Sequence, residues 1–158
     1  MRVFLGCDHA GFELKEHLVA WLSANGHEPV DCGAFVYDAL DDYPPFVLRA
    51  AERTAAEPGT LGIVIGGSGN GEAMAANKVK GVRAALVWND DTARLAREHN
   101  DANVISIGAR QHDLDTATRF VRLFLETPYS QEERHTRRIR MLGDYEQTGE
   151  LPPLPEKD

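Results

Sequence analysis

A chain of 158 residues, 42% hydrophobic and 8% aromatic, has enough apolar surface for one folded core and too much for a disordered segment. Acidic residues outnumber basic ones by 25 to 17, and the net charge of −8 argues against general nucleic-acid or membrane-surface binding, which need a positive field. No apolar run is long enough for a membrane span.

Short β-branched runs alternate with longer helical stretches. Met1-Arg2 leads straight into Val3-Phe4-Leu5, a first strand, without the n-region, h-region or cleavage site of a secretory leader. Leu14, Leu18, Trp21 and Leu22 then fall at i, i+4, i+7 and i+8, one face of a helix ended by Asn25-Gly26. Glu28-Pro29-Val30-Asp31 reads as a short edge strand, because proline cannot donate to an inner ladder. A polar stretch with Tyr43-Pro44-Pro45 precedes a helix over 46–56, and the continuous apolar run 61–65 predicts a strand covered on both faces. A glycine loop, 66–71, opens a short helix reaching Asn77. The fourth strand spans 82–87, and Asp90 can cap a helix running to Asn100. The fifth strand is 104–107. Leu114, Ala117, Val121 and Phe124 mark the next helix, and after Pro128 a last one spans 131–145. Leu151-Pro152-Pro153-Leu154-Pro155 cannot be helical.

These elements predict one domain over 1–148 followed by a proline-rich tail, 149–158, docked or loose. The expected class is α/β: a doubly wound five-stranded parallel sheet with right-handed crossovers, a Rossmann-like three-layer sandwich with an additional C-terminal helix. Such sheets bind ligands beyond the carboxyl ends of their strands, where the winding reverses. That rule singles out the loops 7–11 and 66–72. Cys7 and Cys32 show neither C-x-x-C nor zinc spacing, so a reduced, cytoplasmic chain is expected.

The stretch Gly66-Gly67-Ser68-Gly69-Asn70-Gly71-Glu72 is the most informative. Four glycines between a buried strand and a helix let backbone N–H groups face an anion. The dinucleotide fingerprint G-x-G-x-x-G is not met, and a P-loop would carry lysine where Glu72 stands. A carboxylate there would repel a nucleotide phosphate. It suits proton removal from carbon, with backbone amides stabilising the resulting enediolate and the helix end favouring ionised Glu72. The simpler alternatives are a packing turn and a favourable first-turn acid.

Asp8-His9 follows the first strand at the same crevice, where both residues can face a ligand; otherwise Asp8 caps a helix and His9 is a surface residue. His99-Asn100 closes the fourth helix, where a histidine also complements the helix dipole. No histidine belongs to a metal-ligand spacing, so no metal site is expected. Arg134 and Arg138 are neighbours on one helix face, able to grip an anion between them or to pair with Glu132 and Glu133. Arg110 is a lone candidate of the same kind.

In order along the chain, Gly6-Cys7-Asp8-His9-Ala10-Gly11, the glycine loop, Ala75-Ala76-Asn77-Lys78, Glu98-His99-Asn100-Asp101-Ala102-Asn103 and Arg134-His135-x-x-Arg138 resemble the ribose-5-phosphate isomerase B family, related to galactose-6-phosphate isomerases. Only the proline tail falls outside. The resemblance implies interconversion of ribose 5-phosphate and ribulose 5-phosphate, in the pentose phosphate pathway, through an enediolate and with no metal or nucleotide cofactor. It implies that Asp8 and His9 contact the sugar, that Gly67, Ser68, Gly69, Asn70 and Gly71 form the anion hole, and that Asn100 holds a hydroxyl. His99 would open the furanose ring, and Arg110, Arg134 and Arg138 would bind the phosphate. In many members the base is a cysteine ending the third strand. Gly66 stands there instead, so this chain resembles the branch whose base is a glutamate, here Glu72. A four- or six-carbon sugar phosphate, or a non-catalytic sensor on the same fold, remains the alternative. If His99 and Glu72 act on one sugar they must come from two chains, because they flank opposite ends of the strands. A homodimer with shared sites, and possibly a tetramer, is therefore expected.

Overall fold

The structure, a computed structural model, describes residues 1–156; Lys157 and Asp158, the end of the expected tail, lie outside the described residues. Five strands, β1 (Arg2–Cys7), β2 (Glu28–Asp31), β3 (Leu61–Gly66), β4 (Ala84–Val87) and β5 (Val104–Gly108), form one sheet in the order β2-β1-β3-β5-β4. Every neighbouring pair is parallel. Six α-helices alternate with them: α1 (Phe12–Ala24), α2 (Pro44–Ala56), α3 (Asn70–Ala76), α4 (Asp90–Glu98), α5 (Leu114–Glu126) and α6 (Glu133–Thr148). The expected α/β class is the observed one.

Strand alternation sorts the core into two layers. Val3, Leu5 and Cys7 of β1, Ile63 and Ile65 of β3, and Ile105 and Ile107 of β5 pack with α1, α4 and α5. Phe4, Val64 and Val104 face the other way, onto α2 and α3. Each fully buried aliphatic or aromatic side chain contributes about 1.5–3 kcal/mol. On the α2 side two strand glycines, Gly6 and Gly62, face the helix. A side-chain carbon at Gly6 would fall 2.5 Å from the Phe46 carbonyl oxygen, so glycine there is what lets α2 lie close to the sheet. The winding reverses between β1 and β3, where the loops following those strands open into one crevice.

Several boundaries differ from the sequence expectation, each for a local reason. β4 begins at Ala84 because Val82 donates its N–H to Val79 in a turn and Arg83 donates to the Asn103 side chain. α2 begins two residues early with Pro44-Pro45, whose fixed φ suits the first helical turn. α4 stops at Glu98, before Asp101 adopts a left-handed conformation with φ +42°. α6 starts at Glu133 and continues to Thr148, where left-handed Gly149 returns its N–H to Tyr145. Of its sixteen residues only His135 is buried, so α6 is nearly unpacked against its own chain. Beyond it the described residues 149–156 form neither helix nor strand.

Candidate active site

The crevice is built from four turns. After β1, Asp8 turns the chain into a short 3₁₀ segment, His9–Gly11, and its carboxylate accepts from the Ala10 and Gly11 N–H groups at 3.0 and 3.3 Å. The capping role of Asp8 is therefore real, and the same residue lines the crevice. His9 is held by Asp41, from the loop before α2: Asp41 Oδ1 accepts from the His9 backbone N–H at 2.8 Å and lies 2.7 Å from ring Nδ1. Tyr37 packs edge-on against the ring, at 6.4 Å between centroids.

After β3 the glycine loop makes three tight approaches. Gly69 is left-handed, with φ +83°, and a side chain there would strike Leu86, so glycine is required on both counts. Ser106 Oγ donates to the Gly69 carbonyl at 2.7 Å and anchors the loop to β5. Ser68 Oγ accepts from the Asn70 N–H. Gly71 lies under the Tyr43 ring, and Arg110, from the turn after β5, reaches across Gly67 while its N–H donates to the Gly67 carbonyl.

Glu72 sits beneath this loop, only 4% exposed. A side-chain carbon at Gly66 would overlap its carboxylate, so the glutamate occupies the volume that a residue ending β3 would otherwise fill. Burial pushes the Glu72 carboxyl above its ordinary value, and the Asp8 charge adds to this; hydrogen bonds from the backbone N–H groups of Glu72 and Gly69 pull it partly back. The expected influence of the helix end is thus outweighed by burial. The net effect is a carboxyl group whose affinity for a proton is raised.

The remaining candidates gather elsewhere. His99 and Asn100 precede β5 at the opposite end of the sheet, and the Arg83 guanidinium pins their loop through the Asn100 and Asp101 carbonyls at 2.9 and 2.7 Å. His99 stacks on His135 of α6 at 4.2 Å. Burial, with His99 and Arg134 nearby, holds His135 below the ordinary histidine value. Arg134 pairs with Glu132, while Arg138 is exposed and in no ion pair among the described residues. The three arginines therefore do not converge within one chain: Arg110 stands over the glycine loop, Arg134 and Arg138 beside His99.

Sequence spacing did not reveal Asp41. With Asp8 and His9 it brings three ligand-type atoms within 4.8 Å of one another. Asp41 Oδ1 is engaged with His9, and Asp8 Oδ1 with two backbone N–H groups. Nothing along the chain separates Asp41 from its acidic neighbours Asp38 and Asp42. Both cysteines are free and buried, and burial pushes the Cys7 thiol up to about 12.

A doubly wound parallel sheet that gathers a glycine loop, a buried carboxylate and an arginine at one crevice defines a class: α/β proteins with a small-anion site beyond the carboxyl ends of their strands. A model of the Ribose/Galactose Isomerase family matches residues 3–142, and the chain belongs to that family. It is 58% identical over 155 residues to ribose-5-phosphate isomerase B of Mycolicibacterium paratuberculosis, covering 98% of each chain. Identity is also 58% over 155 residues to the Mycobacterium tuberculosis protein of that name, covering 98% of this chain and 96% of that one. Among solved structures, ribose-5-phosphate isomerase B from Mycoplasma genitalium with bound ribulose 5-phosphate superposes with a TM-score of 0.89 at 39% identity, over 93% of this chain and 97% of that one.

Proposed function

We propose that this chain interconverts D-ribose 5-phosphate and D-ribulose 5-phosphate by metal-free proton transfer, with Glu72 as the base. The observation that carries the mechanism is the buried Glu72 carboxylate lying where a Gly66 side chain would be. In the aldose-to-ketose direction Glu72 takes the proton from C2 of the opened sugar and returns it to C1, while the O2 proton moves to O1. The enediolate between these steps is an oxyanion. Asn70 gives its N–H to Ser68, and Gly69 gives its N–H to Glu72, which leaves those of Gly67, Ser68 and Gly71 for the developing charge. Asp8 and His9 contact the sugar, and Arg110 meets its phosphate.

Ring opening falls to His99, with Asn100 on a hydroxyl and Arg134 and Arg138 completing the phosphate grip. These residues lie one strand length, about 17 Å, from the glycine loop of their own chain. We therefore assign them to the site of a second copy related by a two-fold axis, in a homodimer or a tetramer built from such dimers. The exposed Phe35, Val36, Tyr37 and Leu40 beside the crevice, and Leu142 and Tyr145 on α6, are the apolar surface such a pairing would cover. The described residues include no helix long and apolar enough to cross a membrane. With reduced Cys7 and Cys32, the cytoplasm is the compartment we assign.

The test is a ribose 5-phosphate isomerase assay on the parent chain and Glu72→Gln. The variant keeps the shape and loses the base, so kcat falls by at least about a thousandfold while substrate still binds. Activity survives dialysis against a chelator. Near-normal turnover of the variant would remove Glu72 from the mechanism; loss of activity on chelation would overturn the metal-free reading.

A further inference from the structure

We propose that Asp41 is a positioning residue for this site, its carboxylate clamping the main chain and ring of His9 so that Nε2 is the ring nitrogen presented to the substrate. One oxygen, Oδ1, meets both the His9 N–H and ring Nδ1, at 2.8 and 2.7 Å, which fixes the turn after β1 and the rotation of the ring together. Tyr37 closes the ring's edge. With Nδ1 committed to a carboxylate, the ring carries a proton there, and Nε2 is the nitrogen left for the crevice.

Asp41 itself is only 11% exposed, and its second oxygen, Oδ2, is buried without a hydrogen-bond partner. A carboxylate so poorly compensated favours a cation beside it. The other groups facing His9 are Asp8, which acts in the same sense, and Arg110, which opposes it, as does burial of the ring. The hydrogen bond to Asp41 is the largest influence and lifts His9 above the ordinary histidine value. Neutral, with its proton on Nδ1, the ring accepts at Nε2 from a sugar hydroxyl; protonated, it gives an Nε2–H to a sugar or phosphate oxygen. Charge-assisted bonds of this kind are the strong ones.

The inference rests on the assignment of His9 to the sugar, and the experiment separates the two. Asp41→Asn is isosteric and keeps an acceptor for the His9 N–H, so the turn persists while the charge is lost. Long-range ¹H–¹⁵N spectra of the full chain, with His9 identified by its loss in His9→Ala, report titration and tautomer. In the parent, neutral His9 carries its proton on Nδ1; in Asp41→Asn its titration midpoint falls and the Nδ1–H preference weakens. KM for ribose 5-phosphate rises roughly tenfold with kcat changed less than about threefold, and in the His9→Ala background Asp41→Asn adds less than about twofold. An unchanged His9 titration and tautomer in Asp41→Asn overturns the proposal. So does a KM effect of equal size with and without His9. A shifted titration together with an unchanged KM in His9→Ala supports the clamp and overturns the placement of His9 against the sugar.

Discussion

Glu72 is buried beside another carboxylate, an arrangement that suits proton abstraction and works against folding. Its folded value lies above the unfolded one, so the charged form weighs against the folded state, and stability falls as pH rises through the folded value. Glu72→Gln, uncharged at every pH, is therefore expected to melt at a higher temperature than the parent at pH 7 while being nearly inactive. The difference shrinks as the pH is lowered through the ordinary glutamate range. Melting curves at pH 4 and pH 7 check this; a lower melting temperature for the variant at pH 7 contradicts it. Glu72 could be picked out as a candidate from the chain because it directly follows the glycine loop. Asp41 could not, since its meaning depends on His9, 32 positions away in the sequence.

At the scale of elements, α1 and β2 are tied by Lys15, whose side chain is fully buried and bonded to Asp31 and Glu16. Burial pulls its pKa down, but the hydrogen bonds to Asp31 and Glu16 together prevail and leave it raised. The stabilisation is thus complete below the ordinary lysine value of 10.5 and is lost as the pH rises through the higher folded value. Asp31→Ala leaves a buried ammonium with one exposed partner, and we expect a loss of about 3 kcal/mol at pH 7. Urea denaturation at pH 7 and pH 11 gives the measure, the gap between parent and variant narrowing at the alkaline end. A gap that stays constant or widens there would exclude the ion pair as its source. Apolar spacing correctly located the helix through Leu14, Leu18 and Leu22, all buried. It gave no hint of Lys15, because a periodicity of apolar residues is blind to a charge that enters the core with its partner. The start of β4 and the end of α4 were misread for a related reason: Asn103 and Arg83 decide them through side-chain bonds across the turn.

For the whole molecule, the direction of the strands was legible, and with it the separation of the candidate residues onto two ends of the sheet. Alternation of strand and helix forces parallel pairing, and parallel strands all point one way. How two copies would meet in the proposed dimer was not legible, since an interface depends on shape and not on periodicity. The shared site is tested by refolding Glu72→Gln together with His99→Asn. A mixed dimer collects both defects in one site and neither in the other, so verified mixed dimers recover about half of parent activity from two inactive parents. If they stay inactive, each chain carries its site alone or His99 has no part in it.

Gly66 and Glu72 claim a single volume, and this constrains the history of the family as much as its chemistry. A lineage moving its base from a glutamate at 72 to a cysteine at 66 must pass through a chain with both side chains or with neither. With both, the new carbon overlaps the carboxylate where it now lies; with neither, the base proposed here is gone. The volume can be filled from 66 or from 72, so a change at one position calls for an adjustment at the other. The two positions are therefore expected to vary together.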